Sequence, residues 1–125
     1  MTAKVVDASA LAAIAFEEAE AGEILRRLNG HELHAPALLN FELANTCLKK
    51  LKREPAASRE TILGQHNYAQ HLPVKMHEIN FEELVPLAER HKLTAYDASY
   101  LWLARSLGAE LVTLDDKLQK AAAKP

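Results

Sequence analysis

Thr94-Ala-Tyr-Asp-Ala-Ser-Tyr-Leu-Trp-Leu-Ala-Arg-Ser-Leu-Gly108 is the stretch around which the chain is organised. Tyr96, Tyr100, Leu103 and Leu107 recur at helical spacing, with Ala98, Leu101 and Trp102 beside them. Such a helix is apolar around most of its circumference, which predicts that it is largely buried. Its opening has two readings. Asp97 lies three residues after Thr94, so the pair can form a capping box in which the Asp97 carboxylate answers the Thr94 N–H. Alternatively the carboxylate belongs to a site, because the chain has only four aspartates and the others, Asp7, Asp115 and Asp116, come after short strand-like runs.

Towards the N-terminus, the adjacent valines of residues 3–6 predict a strand stopped at Asp7, after which Ser9 can cap a helix over 10–16. A second helix is expected over 19–28, with Arg26 and Arg27 near its end complementing the dipole and Asn29-Gly30 terminating it. A brief strand over 33–35 follows, and Pro36 suits the first turn of a long helix reaching Arg53. In that helix Phe41, Ala44, Leu48 and Leu51 are expected to face the core. Glu42, Asn45 and Lys49 share the adjacent polar stripe, which puts Glu42 beside the core.

Further along, Ser58 can cap a helix to about His71, residues 74–79 alternate like a strand, and Asn80 pairs with Glu83 at the next helix start. That helix contains Pro86, which removes a backbone hydrogen bond and should bend it. Beyond Gly108, residues 111–114 predict a strand and 117–123 a last short helix. Strands alternate with helices throughout, which predicts an α/β fold of three α/β/α layers around a short parallel sheet. Ligands of open parallel sheets bind at the C-terminal ends of the strands, where the strand assignments place Asp7 and Asp115.

Composition narrows the function. A length of 125 residues predicts one domain, 1–125, and an apolar share of 49% is that of an ordinary globular protein. No run is long enough to span a bilayer and the N-terminus lacks a basic segment followed by a hydrophobic signal core, so a cytoplasmic protein is expected. Cys47, the single cysteine, can form no internal disulfide and no cysteine zinc site, and it is expected to be inert. With a net charge of -2, nucleic acid cannot be held by bulk electrostatics, and any contact must be local. Lys49, Lys50, Lys52 and Arg53 form the one basic run; they are helix-end charges or, for Lys49 and Arg53, phosphate contacts. The six histidines are scattered, without ligand spacing or a triad-like grouping, and read as surface or structural residues.

Carboxylates that converge without matching cations raise one another's pKa and oppose folding. A hard divalent cation such as Mg2+ or Mn2+ offsets that cost, keeps waters and leaves positions for phosphate oxygens. The matching chemistry is phosphodiester hydrolysis, which then needs neither a histidine nor a serine nucleophile.

Four segments carry a family resemblance. Val5-Val6-Asp7-Ala8-Ser9, Phe41-Glu42-Leu43-Ala44-Asn45, Thr94-Ala95-Tyr96-Asp97-Ala98 and Val112-Thr113-Leu114-Asp115 resemble the four motifs of PIN-domain ribonucleases, and most nearly those of VapC-type toxins. The resemblance spans almost the whole chain, and the order and spacing of the four acids are more specific than any one motif. It implies that Asp7, Glu42, Asp97 and Asp115 hold Mg2+ or Mn2+ for endonucleolytic cleavage of RNA. Ser9, Thr113 and Asn45 would support them. Asp116 either aids the ion through water or opens the last helix, the second being preferred. The resemblance further implies one half of a type II toxin-antitoxin pair, a cognate antitoxin, a homodimer and a structured RNA substrate such as transfer RNA. One departure is that the family often has a further short strand after the last helix, whereas this sequence ends at Pro125.

Two other classes place aspartates at strand ends or keep the same fold. An aspartate-nucleophile phosphatase needs a second aspartate where Ser9 stands, and a receiver domain needs a central aspartate where none occurs between Asp7 and Asp97. A non-catalytic PIN-like module that binds RNA or protein is the closer rival. Such modules usually lose one or more of the acids, and all four are present.

Overall fold

The computed structural model describes residues 2–125. Strands β1 (Ala3–Val6), β2 (Glu32–Pro36), β3 (Val74–His77) and β4 (Glu110–Val112) form a parallel sheet in the order β3-β2-β1-β4. The helices are α1 (Ala8–Ala15), α2 (Ala21–Leu28), α3 (Leu39–Arg53), α4 (Arg59–Gln70), α5 (Phe81–His91), α6 (Ala95–Leu107) and α7 (Asp116–Ala123), with a single 3-10 turn at Ala56–Ser58 before α4. From β1 the chain steps outward through β2 to β3 and then returns to place β4 on the other side of β1. The topological switch therefore lies between β1 and β4, and their C-terminal ends open the crevice where α/β sheets bind ligands.

Central helix α6 packs against β1, β2 and β4 and is flanked by α5 and α7, whereas α1 to α4 pack among themselves in the opposite layer. Ala98, Tyr100, Leu101, Leu103 and Ala104 are buried, so the middle of α6 is core. Its ends are not: Tyr96 and Leu107 are exposed. Gly108 ends the helix with φ of 60°, a left-handed cap that a side chain would strain. Burial of Val5 and Val6 on central β1 and of Val112 on its neighbour β4 completes a core shared by both layers.

Several expectations shift. Pro36 ends β2 rather than opening α3; it pairs in register with His77, and Ala37 N–H continues the ladder to the His77 carbonyl at 3.1 Å. The stripe of α3 that turns inward is Leu39, Leu43 and Cys47, while Phe41 and Leu48 are 79% and 54% exposed. Both stripes have helical spacing, so the angle at which β2 delivers the chain decides between them. The cap of α1 is Asp7, not Ser9. Ser58 makes no side-chain cap to α4, and Asn80 caps α5 through Glu83 N–H at 3.2 Å. Helix α5 continues past Pro86, which sits on its exposed side.

At the opposite end of the sheet Lys4 and Arg27 share Glu110, at 3.2 and 3.3 Å. Those cations are thus neutralised locally and leave the acids of the other edge without them.

Candidate functional site

Asp7 anchors the C-terminal edge. It follows β1 directly and is only 6% exposed, yet every oxygen of its carboxylate is met. Oδ1 accepts from Ala10 N–H at 3.0 Å and from Ser9 Oγ at 2.7 Å, and Oδ2 accepts from the Thr113 hydroxyl. Ser9 Oγ in turn accepts from Leu114 N–H at 3.0 Å, and Thr113 Oγ1 accepts from Asp115 N–H at 3.0 Å. Two short hydroxyl side chains thereby stitch the β1–α1 turn to the β4–α7 turn. Burial raises the Asp7 pKa; the bonds from Thr113, Ala10 and Ser9 pull it back, and the charge of Asp115 adds to the rise.

The other acids arrive on helix starts. Glu42 lies in the first turn of α3, half-buried, and its Oε1 accepts the hydroxyl of Tyr100 from α6. Burial raises its pKa, with Asp97 and Asp7 adding to the rise and Tyr100 opposing it. Asp97 sits in the first turn of α6. There the cap is made by Thr94 Oγ1, which accepts from Asp97 N–H at 3.1 Å. No bond returns from Thr94 N–H to the Asp97 carboxylate among the described residues, so only half of the capping box forms. Burial raises the Asp97 pKa, Asp115 adds to the rise, and Thr94 and Lys117 oppose it. Asp115 caps α7 by accepting from Leu118 N–H at 2.8 Å.

These couplings close a ring: Asp7 feels Asp115, Glu42 feels Asp97 and Asp7, and Asp97 feels Asp115. Asp116 is not among the charges that shift any of the three, and it forms the exposed first residue of α7. Asn45 is exposed one turn beyond Glu42. Lys49 and Arg53 are exposed further along α3, and neither meets the ring; Arg53 Nε lies 4.0 Å from Glu54. Lys50 is engaged elsewhere, 3.3 Å from Glu18 and over the ring of Phe16.

A model of the PIN domain matches residues 4–124. The chain belongs to the PIN-domain family. Ribonuclease VapC3 of Pyrobaculum aerophilum is 35% identical to it over 91% of this chain and 90% of that protein. Ribonuclease VapC12 of Mycobacterium tuberculosis is 28% identical over 94% of this chain and 90% of its own length. Among solved structures, PAE2754 from Pyrobaculum aerophilum superposes with a TM-score of 0.78 at 26% identity, over 98% of this chain and 86% of that one. The sarcin-ricin loop cleaving toxin VapC20 of Mycobacterium tuberculosis gives 0.63 at 15% identity, over 97% and 98%, and that likeness concerns the fold alone.

In this PIN domain the donor set suits a hard cation: four carboxylates, with Lys117 the one cation that shifts any of Asp7, Glu42 and Asp97. Among the described residues no three His, Cys, Asp or Glu side chains gather tightly enough to enclose an ion. Carboxylate oxygens are the donor type that Mg2+ prefers, and that ion usually takes only one or two of them together with water.

Two features of the structure arise only from tertiary contacts. Tyr100 reads as a core residue of α6, and only the fold shows its hydroxyl at Glu42, 58 residues away; its spacing of three from Asp97 was the available signal. The histidines are not all scattered either. His34 Nδ1 lies 2.7 Å from His77 Nε2 across β2 and β3, with Glu32 at 3.2 Å from the other nitrogen of His34. Parallel pairing of strands distant in sequence creates that pair. Cys47 is buried, which raises its thiol pKa against a smaller opposing effect of Arg59 and fits an unreactive side chain.

Proposed function

We propose that this PIN domain is a metal-dependent endoribonuclease that hydrolyses RNA phosphodiester bonds as the toxin of a type II toxin-antitoxin pair. The observation that carries the reading is the ring of Asp7, Glu42, Asp97 and Asp115 at the β1/β4 switch point, in a chain 35% identical to a VapC ribonuclease. These four side chains would hold Mg2+ or Mn2+, which when bound acidifies a water to give the nucleophile and stabilises charge on the phosphate.

The chain's own groups prepare that site. Ser9, Thr113 and the α1 backbone fix both oxygens of Asp7, so its carboxylate does not turn towards solvent. Tyr100 holds one oxygen of Glu42, and Asp115 is tied to the start of α7. Lys117 is near enough to Asp97 to oppose the rise of its pKa, and a positive charge there favours an incoming phosphate. Lys49 and Arg53 offer separate phosphate contacts further along α3, while Asn45 beside Glu42 supports the ring and Asp116 starts α7. The partners of this reading are a structured RNA such as transfer RNA, a cognate antitoxin and a second copy of the chain. Its setting is the cytoplasm. No helix among the described residues is long and apolar enough to cross a membrane.

The test is cleavage of a labelled structured RNA with Mn2+, against EDTA and against Asp97→Asn. Cutting by the parent with Mn2+ alone supports the reading. A parent that binds Mn2+ and RNA but cuts nothing across a panel of structured RNAs is instead a non-catalytic binding module.

A further inference from the structure

Among the three tyrosines Tyr100 alone is buried, at 1% exposure, while Tyr68 and Tyr96 lie at the surface. A phenylalanine would fill the same core volume, so the hydroxyl is what needs a reason. Buried phenols must find a partner, and a backbone carbonyl of a neighbouring turn would be the neutral choice. Here the partner is instead a half-buried carboxylate from another helix, Glu42 Oε1. The same phenol faces Asp7 and Asp97, both of which add to the upward shift of its pKa after burial and Glu42. Tyr100 thus feels three members of the ring and binds only one of them.

The bond is also selective between the two oxygens of Glu42. Oε1 is taken, and Oε2 accepts no hydrogen bond among the described residues. A free glutamate side chain samples many rotamers, and ordering it costs entropy at the moment a ligand binds. A donor that pins one oxygen removes part of that cost beforehand and leaves the other oxygen open. Asp7 is held at both oxygens by its own turn and by Thr113; Glu42, on the longer side chain, has this single tether.

We propose that Tyr100 is a positioning residue for the acidic ring: its buried hydroxyl holds Glu42 in the orientation from which the free Oε2 reaches a divalent cation. This rests on the metal-nuclease reading above. Groups that orient metal ligands typically contribute about 10–100-fold to affinity, so the loss of one hydroxyl is readable.

The experiment is calorimetric titration of Mn2+ into the parent, Tyr100→Phe, Glu42→Gln and the double variant. Tyr100→Phe should weaken Mn2+ binding about tenfold. Glu42→Gln should weaken it at least as much, and the double variant no further, because the hydroxyl acts only through Glu42. A purely structural role predicts a lower melting temperature with unchanged Mn2+ affinity, or the same loss in both backgrounds; either result overturns the proposal. Should the parent bind no Mn2+, the metal reading falls and takes this one with it. If the parent binds and Glu42→Gln weakens binding while Tyr100→Phe does not, the positioning role alone falls. Where Tyr100→Phe does not fold, the Tyr100 hydroxyl proton of the parent is followed by NMR during Mg2+ titration. Movement with the binding midpoint supports the role, and a resonance that Mg2+ leaves in place overturns it.

Discussion

Replacing Asp97 by Asn removes one charge from the ring yet leaves the Thr94 cap intact, because that cap is made by the Thr94 side chain and the Asp97 backbone. Were the carboxylate a capping group, Asp97→Asn would lower stability by about 0.5–1 kcal/mol with or without metal. As a member of the ring it is held close to Asp115 and Glu42 at a repulsive cost. The metal-free variant is therefore expected to melt at the parent's temperature or above it. It should also lose most of the stabilisation expected of Mn2+ in the parent, which would be roughly 1.4 kcal/mol at free metal ten times the Kd. Thermal melts with and without Mn2+ decide. A destabilised apo variant that keeps its full Mn2+ response would return Asp97 to a capping role.

Helix α3 and strand β3 each offer a test at the level of the element. On α3, Lys49→Ala with Arg53→Ala should weaken RNA binding and flatten its dependence on the logarithm of salt by about 0.7 for each phosphate that is no longer neutralised, leaving Mn2+ binding unchanged. An unaltered salt slope would make both residues plain helix-end charges. On β3, His77 is held below its ordinary value of 6.5 by burial, then by His34 and Lys75. The fold thus favours the neutral imidazole; the stability it contributes is present above the unfolded value and lost as pH falls through the folded one. In His77→Asn the melting temperature should fall less than in the parent between about pH 7 and pH 5. Parallel melting curves against pH would show that the His34–His77 contact does not tie the edge strand to the sheet.

The molecule as a whole segregates charge, with Lys4 and Arg27 neutralised on Glu110 at one end of the sheet and the acids gathered at the other. Asp7, Glu42 and Asp97 all have raised pKa values, with burial the first cause in each. For a raised carboxylate the favourable contribution is present below the unfolded pKa and lost as pH rises through the folded one. Metal-free protein should accordingly recover stability, from these three groups, as pH falls from neutral towards the upper carboxylate range. Asp97→Asn should show a smaller recovery. The stabilisation by Mn2+ should shrink over that same interval, since protons and cation compete for the same oxygens. Melting temperatures against pH with and without Mn2+ measure both. An Mn2+ effect that does not change with pH would mean that the ion binds away from the ring.

The features legible in the chain alone are local ones. Asp7 directly follows β1 and Asp115 lies three residues past β4, each where an apolar run stops, and Asn80, Thr94 and Gly108 mark helix ends through bonds or backbone angles spanning a few residues. The order of the four acids pointed to the family and to one edge of one sheet. It took the assembled fold to settle that Leu39, Leu43 and Cys47 rather than Phe41 and Leu48 face inward, since both stripes satisfy the helical period. The fold alone joined Tyr100 to Glu42 and His34 to His77, across 58 and 43 residues. Capping is settled within a turn of helix, whereas a side chain's distant partner depends on how whole elements dock, and no local pattern carries that information.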